Sequence, residues 1–126
     1  MTLNSDNVVN DLVKKFNLIP LEFLDARGYP MATAYGFNIQ HKTRGCLLCK
    51  SVSDKRWHVC QSCDTKFLNG VLTTTYTFGK LLDEYVTIDY LEHHIKFIKY
   101  QIDRDTQKVK LQRVFSRISE IVKDFE

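Results

Sequence analysis

The sequence predicts an α+β fold in which helices dominate. Apolar residues recur at steps of three and four near the N-terminus and over the last third of the chain, which is the spacing of amphipathic helices. Two segments between them, residues 31–40 and 71–78, have the alternation or the β-branched and aromatic content of strands. All four cysteines lie between those two segments. With 126 residues and 44% hydrophobic residues, the chain is expected to form one domain with a packed core.

The first predicted element is an amphipathic helix over residues 5–17. Ser5 is a suitable N-cap, and Asp6 suits the positive end of a helix. The apolar positions of this helix are Val8, Val9, Leu12, Val13 and Phe16. The strand predicted at residues 31–40 is expected to pair with the strand at residues 71–78 in a small antiparallel sheet.

The four cysteines form two pairs with the same short spacing. Two residues lie within each pair and ten residues lie between the pairs, which are Cys46 with Cys49 and Cys60 with Cys63. Two residues between cysteines let a tight turn direct both sulfurs at one ion, and two such turns facing each other complete a tetrahedron. The spacing therefore predicts one structural zinc ion held by four thiolates. A catalytic zinc would keep one position open for water, which this set does not.

The cysteine pattern fits other uses of thiols less well than it fits zinc. A redox CxxC is one pair at a strand–helix junction, and two matched pairs in a short basic loop do not fit that pattern. The N-terminus has no secretory signal pattern and no apolar run approaches a membrane span, so an intracellular location, cytoplasmic or nuclear, with reduced thiols is expected. Iron in a four-sulfur site stays open, and His58 could replace one cysteine in a variant site.

The cysteine segment resembles the treble-clef and zinc-ribbon superfamily of zinc fingers. The resemblance is carried by the two CxxC turns, by the loop residues Lys55, Arg56 and Trp57, and by Lys66, Phe67 and Leu68 after the second turn. The short loop is most similar to the four-cysteine zinc type of a small-subunit ribosomal protein that binds rRNA, although the arginine-rich flanks of those proteins are missing. The resemblance implies that the second CxxC opens a short helix, expected at residues 65–69, and that Phe67 packs beneath the metal.

Residues 41–66 form a basic lobe around the cysteines. Its cations are Lys42, Arg44, Lys50, Lys55, Arg56 and Lys66, and its acids are Asp54 and Asp64. The cations would either neutralise the zinc–thiolate dianion or bind nucleic-acid phosphates, with Trp57 stacking on a base. The net charge of +3 is mild, and zinc with four thiolates lowers it to about +1. Composition therefore leaves nucleic-acid binding open without favouring it.

The last third of the chain carries two apolar stripes at heptad spacing. The first contains Ile88, Leu91, Ile95, Ile98 and Ile102, and the second contains Leu111, Val114, Ile118, Ile121 and Phe125. Residues 103–106 interrupt the phase, which predicts a C-terminal helical pair or else one long helix with a change of face. The candidate partner-binding residues are Ile88, Leu91, Ile95, Ile98, Val114, Ile118 and Ile121.

The favoured function is a non-enzymatic, zinc-stabilised adaptor or regulatory protein in a larger assembly. Its partner would be another protein or a further copy of the chain, because the amphipathic helices have little sheet to cover them. The alternative is a nucleic-acid-binding or transcription-related zinc finger that uses the basic lobe. An enzyme would need Asp25, His41, His93 or His94 to converge in a pocket, which the spacing does not require. No catalytic residue, small-molecule substrate or membrane contact is predicted.

The complete prediction is one domain over residues 1–126 in three parts. Residues 1–40 hold the N-terminal helix and a strand, residues 41–70 form the zinc lobe, and residues 71–126 hold a strand and the C-terminal helices. A small four-cysteine zinc knuckle with a short antiparallel sheet would thus lie between the N-terminal helix and the C-terminal helical pair.

Overall fold

Two helices enclose a run of short strands along the chain. A computed structural model describes residues 5–22, 26–28, 32–53, 55–77, 79–82 and 87–124. The elements are α1 (Asp6–Lys15), β1 (Ile19–Leu21), β2 (Ala32–Gly36), β3 (Lys42–Arg44), β4 (Leu48–Ser51), β5 (Trp57–Val59), β6 (Ser62–Leu68), β7 (Val71–Thr77), β8 (Lys80–Leu81) and α2 (Ile88–Asp124). The α+β class is confirmed. The predicted dominance of helices is not, because the described strands build two sheets.

Helix α1 forms where the sequence predicts it. Ser5 caps the helix, and its hydroxyl accepts a hydrogen bond from the N–H of Val8 at 3.3 Å. Asp6 lies in the first turn and Lys15 in the last, so both charges suit the helix dipole. The apolar stripe faces inward, because Val8, Val9 and Leu12 are buried.

The larger sheet has five antiparallel strands in the order β1-β2-β4-β5-β8. Leu48 and Val59 are opposite each other in β4 and β5, and both are fully buried in the core. The neighbouring pair of Cys49 and His58 points to the other side of the sheet, because successive side chains of a strand alternate between its two faces. This alternation places one cysteine and one histidine side by side.

The smaller sheet has three strands in the order β3-β7-β6. β6 and β7 form a hairpin whose turn residues Asn69 and Gly70 have φ values of 53° and 80°, as a two-residue turn of type I′ requires. β3 runs parallel to β7. Both predicted strand segments, 31–40 and 71–78, contain a strand, but their predicted pairing is wrong because β2 pairs with β1 and β4.

The predicted helix at residues 65–69 is also wrong, since β6 runs through it. Burial alternates from Cys63 to Lys66 with the period of a strand, and the hairpin with β7 supplies hydrogen bonds that a one-turn helix could not. Phe67 lies at the end of this strand, where the guanidinium of Arg113 is 4.9 Å from its ring centroid. It therefore packs against α2.

Helix α2 is one continuous helix of 37 residues. The predicted helical pair is therefore wrong, and the alternative prediction, one long helix whose apolar stripe changes face, is correct. The hydroxyl of Thr87 accepts a hydrogen bond from the N–H of Tyr90 at 3.0 Å at the start of the helix. At 100° per residue, the buried side chains of Leu91, Ile95, Ile98 and Ile102 lie nearly opposite the second stripe. The first half of α2 thus covers the core, and the second half turns its apolar stripe to solvent.

Strands from all three predicted parts of the chain pair with one another. β2 pairs with β4, β3 pairs with β7, and β5 pairs with β8. Within the described residues, the cysteine segment is consequently built into both sheets and does not stand apart as a separate lobe.

Candidate functional site

The four cysteines lie at the ends and edges of β4, β5 and β6. Cys46 precedes β4 and Cys49 lies within it, whereas Cys60 directly follows β5 and Cys63 is the second residue of β6. None of them is in a disulfide, and only Cys46 is more than slightly exposed. The strand pairing therefore gathers cysteines that are up to seventeen positions apart in the chain.

Three of the thiols share one cavity of about 190 Å³ with the His58 imidazole. The donors that line it are Cys46, Cys49, His58 and Cys60. Cys49 and His58 are directly opposite each other in β4 and β5, so their side chains lie on the same face of the sheet. The backbone N–H of Cys60 donates to the carbonyl of Leu47 at 2.7 Å, which joins the second cysteine turn to the first.

Two glycines allow the backbone to close around this cavity. Gly45 has a φ of +77°, and a Cβ added there would lie 2.8 Å from the carbonyl oxygen of Tyr76. A Cβ added at Gly79 would overlap the carbonyl oxygen of Val59. Both contacts hold the cysteine turns against the strands beside them, and any larger residue would push them apart.

Cys63 lies outside the group that lines the cavity. Its Sγ is 3.6 Å from the carbonyl oxygen of Ile98 and 4.0 Å from Oε1 of Gln101, both on α2. In the described part of the chain, no three His, Cys, Asp or Glu side chains stand close enough together to hold a metal ion. Thiolate and imidazole are ligand types that zinc prefers, and Gly45 and Gly79 line the cavity that three of the thiols share. The structure does not bring the four predicted cysteine ligands close enough together to hold one ion, so the four-thiolate site stays a prediction.

The surroundings raise the pKa of three of the four thiols. A hydrogen bond with Cys49, followed by burial, raises the pKa of Cys46 far above its usual range. Burial and then the Cys63 thiol raise the pKa of Cys60 to about 12. Burial, followed by the Asp105 carboxylate, raises the pKa of Cys63 to about 11. A bound cation would act in the opposite direction, because it favours the thiolate form.

The predicted base-stacking residue is buried, and that prediction is wrong for this structure. Trp57 is 5% exposed and stacks on Tyr35 with the ring centroids 6.1 Å apart. Its indole N–H donates to Oδ1 of Asp6 at 2.8 Å, and Lys50 Nζ donates to the same oxygen at 3.0 Å. The Trp57 bond, and next the Lys50 bond, lower the pKa of the Asp6 carboxyl. Trp57 and Lys50 thus anchor α1 on the larger sheet.

The remaining cations of the basic segment fall into two groups. Three cations, Lys42, Arg44 and Lys66, are exposed on the smaller sheet. Lys42 and Lys66 lie opposite Thr73 from the two neighbouring strands, so both side chains are on the outer face of this sheet. Lys66 is 3.7 Å from the Asp64 carboxylate. Lys55 and Arg56 are exposed between β4 and β5. Asp54 lies outside the described residues. The six cations thus do not form one continuous face.

The predicted partner-binding residues fall into a buried group in the first half of α2 and an exposed group in its second half. Leu91, Ile95 and Ile98 are fully buried, so the core of this chain already covers them. Ile88 is partly exposed at 40%. Val114, Ile118 and Ile121 are 50–56% exposed. Of the predicted partner-binding residues, Ile88 and the three in the second half of the helix are therefore available to a partner.

Several exposed apolar residues on α2 lie outside the predicted partner-binding set. Phe97 and Tyr100 lie on the outer side of its first half, and Phe115 and Val122 widen the stripe of its second half; all four are 53–64% exposed. Counting back from Leu111 in steps of four and three reaches positions 107, 104, 100 and 97. The signal for Phe97 and Tyr100 was therefore in the spacing, hidden by the polar residues Arg104 and Gln107.

The three histidines considered for catalysis bond to different parts of the protein. His41 shares a hydrogen bond with the hydroxyl of Thr74, and Nδ1 of His93 is 2.7 Å from the carbonyl oxygen of Asp89 in its own helix. Nε2 of His94 is 2.8 Å from the carbonyl oxygen of Cys60, which links α2 to the second cysteine turn. Asp25 lies outside the described residues.

Comparisons with protein-family models, with curated proteins and with solved structures find no match for this chain. Within the described residues, neither helix combines the length and the apolar character that crossing a bilayer demands.

Proposed function

We propose that this protein is a zinc-stabilised adaptor that acts without catalysis, through the outer face of α2. The observation that carries the proposal is the exposure of the second apolar stripe. Its members are Leu111, Val114, Phe115, Ile118, Ile121 and Val122, each 50–64% exposed. Large contiguous apolar patches on a soluble chain mark interaction sites.

The body of the protein gives this face a fixed position. The first half of α2 is anchored by four fully or nearly fully buried side chains and packs along β6. The contact between Arg113 and Phe67 marks the end of β6, and α2 continues eleven residues beyond Arg113. A helix held in this way presents its stripe without the ordering cost that a flexible segment would incur on binding.

The proposed zinc would be held by Cys46, Cys49, Cys60 and Cys63. Bound there, the ion would supply the cross-links between strands that a cluster of protonated thiols lacks. The residues around it already join its turns to α2, through the contact of Cys63 with Ile98 and that of His94 with the Cys60 carbonyl. Stability of the cysteine turns is thereby coupled to the anchoring of the docking helix.

A site-specific photo-crosslinker tests the adaptor proposal. The probe replaces Ile118 on the stripe, and the matched control places it at Ser116, which is also exposed but lies on the opposite side of the same turn. In cells that make the protein, we expect covalent protein adducts from position 118 and few from position 116. Equal yields from both positions, or no adducts from either, would contradict the proposal.

A second candidate function is binding of a nucleic-acid backbone on the outer face of the smaller sheet. The observation that favours it is the alignment of Lys42 and Lys66 on either side of Thr73, with Arg44 two residues along on the same face. Fluorescence anisotropy with short RNA and DNA should show binding that weakens with salt and with the double change Lys42→Ala and Lys66→Ala. Lys55→Ala, in the other group of cations, is the matched control. Absence of binding at low salt would exclude this candidate.

A further inference from the structure

The exposed apolar residues of α2 follow a heptad repeat that is longer than the second stripe. The steps from Phe97 to Ile121 alternate between three and four residues. The apolar a and d positions of this repeat, called the outer seam below, are Phe97, Tyr100, Leu111, Val114, Ile118 and Ile121. Arg104 and Gln107 occupy the two polar positions in the middle. A heptad repeat sustained over more than three heptads is the pattern of a coiled coil.

The body of the protein leaves the outer seam accessible along its whole length. All six seam residues are 50–60% exposed. The core-facing residues Leu91, Ile95, Ile98 and Ile102 lie roughly 170° around the helix from the seam centre at 100° per residue. Two helices can therefore meet seam to seam while each body stays on the far side of its own helix.

We propose that the outer seam binds a second copy of this chain, in parallel, to form a coiled coil between two α2 helices. This inference rests on the proposed adaptor face and names its occupant. The seam residues together with Phe115 and Val122 expose on the order of 700 Å² of mostly apolar side chain, close to the roughly 800 Å² per partner that a stable interface buries.

The charges beside the seam suit this parallel arrangement. In a parallel coiled coil, a residue at g faces the residue five positions later in the other helix. Asp103 then faces Lys108 of the second copy, and Lys110 and Arg117 face Phe115 and Val122, so no like charges meet at these positions. Arg104 would face Arg104 of the second copy. The repulsion between these two charges weakens the coiled coil but fixes its register. Arg104 already lies 3.4 Å from Asp105 and over the Tyr100 ring, and both contacts reduce this repulsion.

Sedimentation equilibrium of the full-length, zinc-loaded protein tests this inference. We expect a mass twice that of the single chain. Ile118→Asp should weaken the association by at least about a hundredfold, because it places a charge in an apolar layer. Ser116→Asp adds the same charge on the same turn outside the seam and should leave the association within about threefold. Arg104→Leu should strengthen it by about tenfold, because it replaces a polar a position.

Two results would overturn the inference. One is a wild-type chain that sediments as a monomer at every concentration; the other is an Ile118→Asp effect no larger than that of Ser116→Asp. Circular dichroism checks that both variants fold, which is expected because neither side chain is buried. The proposed function can fail or stand separately. A monomeric chain that still forms adducts with other proteins at position 118 keeps the adaptor and loses the coiled coil, whereas a monomer without adducts loses both.

Discussion

The two halves of α2 have similar apolar content and opposite environments. The first half buries Leu91, Ile95 and Ile98 completely against the strands that carry the cysteines, whereas Val114, Ile118 and Ile121 in the second half are at least half exposed. The helix is continuous between them, so the difference does not come from helical propensity. It arises because the stripe changes face after residue 102 while the body stays on one side. Spacing in a sequence thus shows that a face is apolar, and only the fold shows whether the chain itself covers it.

Removal of the proposed zinc should produce the largest difference in protection between the two halves of α2. Structural zinc sites contribute on the order of 10 kcal/mol to folding, so a chelator should unfold residues 42–63 and loosen the first half of α2, which contacts Cys60 and Cys63. The side chains of residues 110–123 are exposed, so the second half should keep its exchange rate. Peptide-resolved hydrogen exchange before and after chelation, with zinc added back as the control, measures both. Unchanged protection across residues 42–63 would show that no zinc supports the fold.

Two matched substitutions should identify the residues that bind the proposed zinc. Cys63→Ser should lower zinc affinity by at least about a hundredfold if Cys63 completes the site, while His58→Asn should cost no more than the roughly 10–100-fold loss typical of a residue beside a metal site. Cobalt substitution followed by absorption spectroscopy gives the affinities and reports the number of thiolates. A larger loss from His58→Asn would assign the fourth position to the imidazole in the cavity.

Equal truncations in the two halves should have unequal effects on stability. Ile95→Ala leaves a cavity in the core and should lower the free energy of unfolding by about 2–5 kcal/mol. Ile118→Ala removes an exposed side chain and should change it by less than about 0.5 kcal/mol. Urea unfolding at low protein concentration, where any association is dissociated, makes the comparison. Similar losses from both substitutions would show that the second half also packs on the body.

Substitutions of two adjacent histidines should differ by a smaller amount in their effect on the free energy of unfolding. His94→Ala removes the contact with the Cys60 carbonyl and should lower the free energy of unfolding by about 1 kcal/mol. His93→Ala is the control, because His93 is exposed and bonds the Asp89 carbonyl of its own helix. Chemical denaturation of the zinc-loaded variants measures the difference. Equal values would mean that the link between α2 and the cysteine turn adds nothing to stability.

The sequence predicted local elements better than their partners. Helix α1 and the strands within 31–40 and 71–78 follow from spacing and composition, because those signals are local. Which strands pair depends on contacts between residues far apart in the chain. Thus β3 beside β7 and β4 beside β5 could not be read from either strand alone. The helix expected at residues 65–69 came from a resemblance, although the alternation from Cys63 to Lys66 indicated a strand.

The candidate sites show the same limit. The CxxC spacing predicts that the cysteines lie close together, and three of them do share a cavity. It gives no reason to expect His58 there, since that follows from the register of β4 and β5. Trp57 illustrates the converse. An aromatic residue in a basic segment suggested base stacking, but Trp57 is buried against Tyr35 and bonded to Asp6, which lies 51 positions earlier in the chain. The spacing predicts correctly that residues 111–121 form an apolar stripe, but only the fold shows that this stripe is exposed.

The most direct test of the central claim is hydrogen exchange of the zinc-loaded, full-length chain at low and high protein concentration. If the outer face of α2 is a docking surface filled by a second copy, peptides spanning residues 107–124 should become protected as concentration rises. Peptides from the buried first half should be well protected throughout. Exchange over residues 107–124 that stays equally fast at both concentrations would contradict self-association through the outer seam.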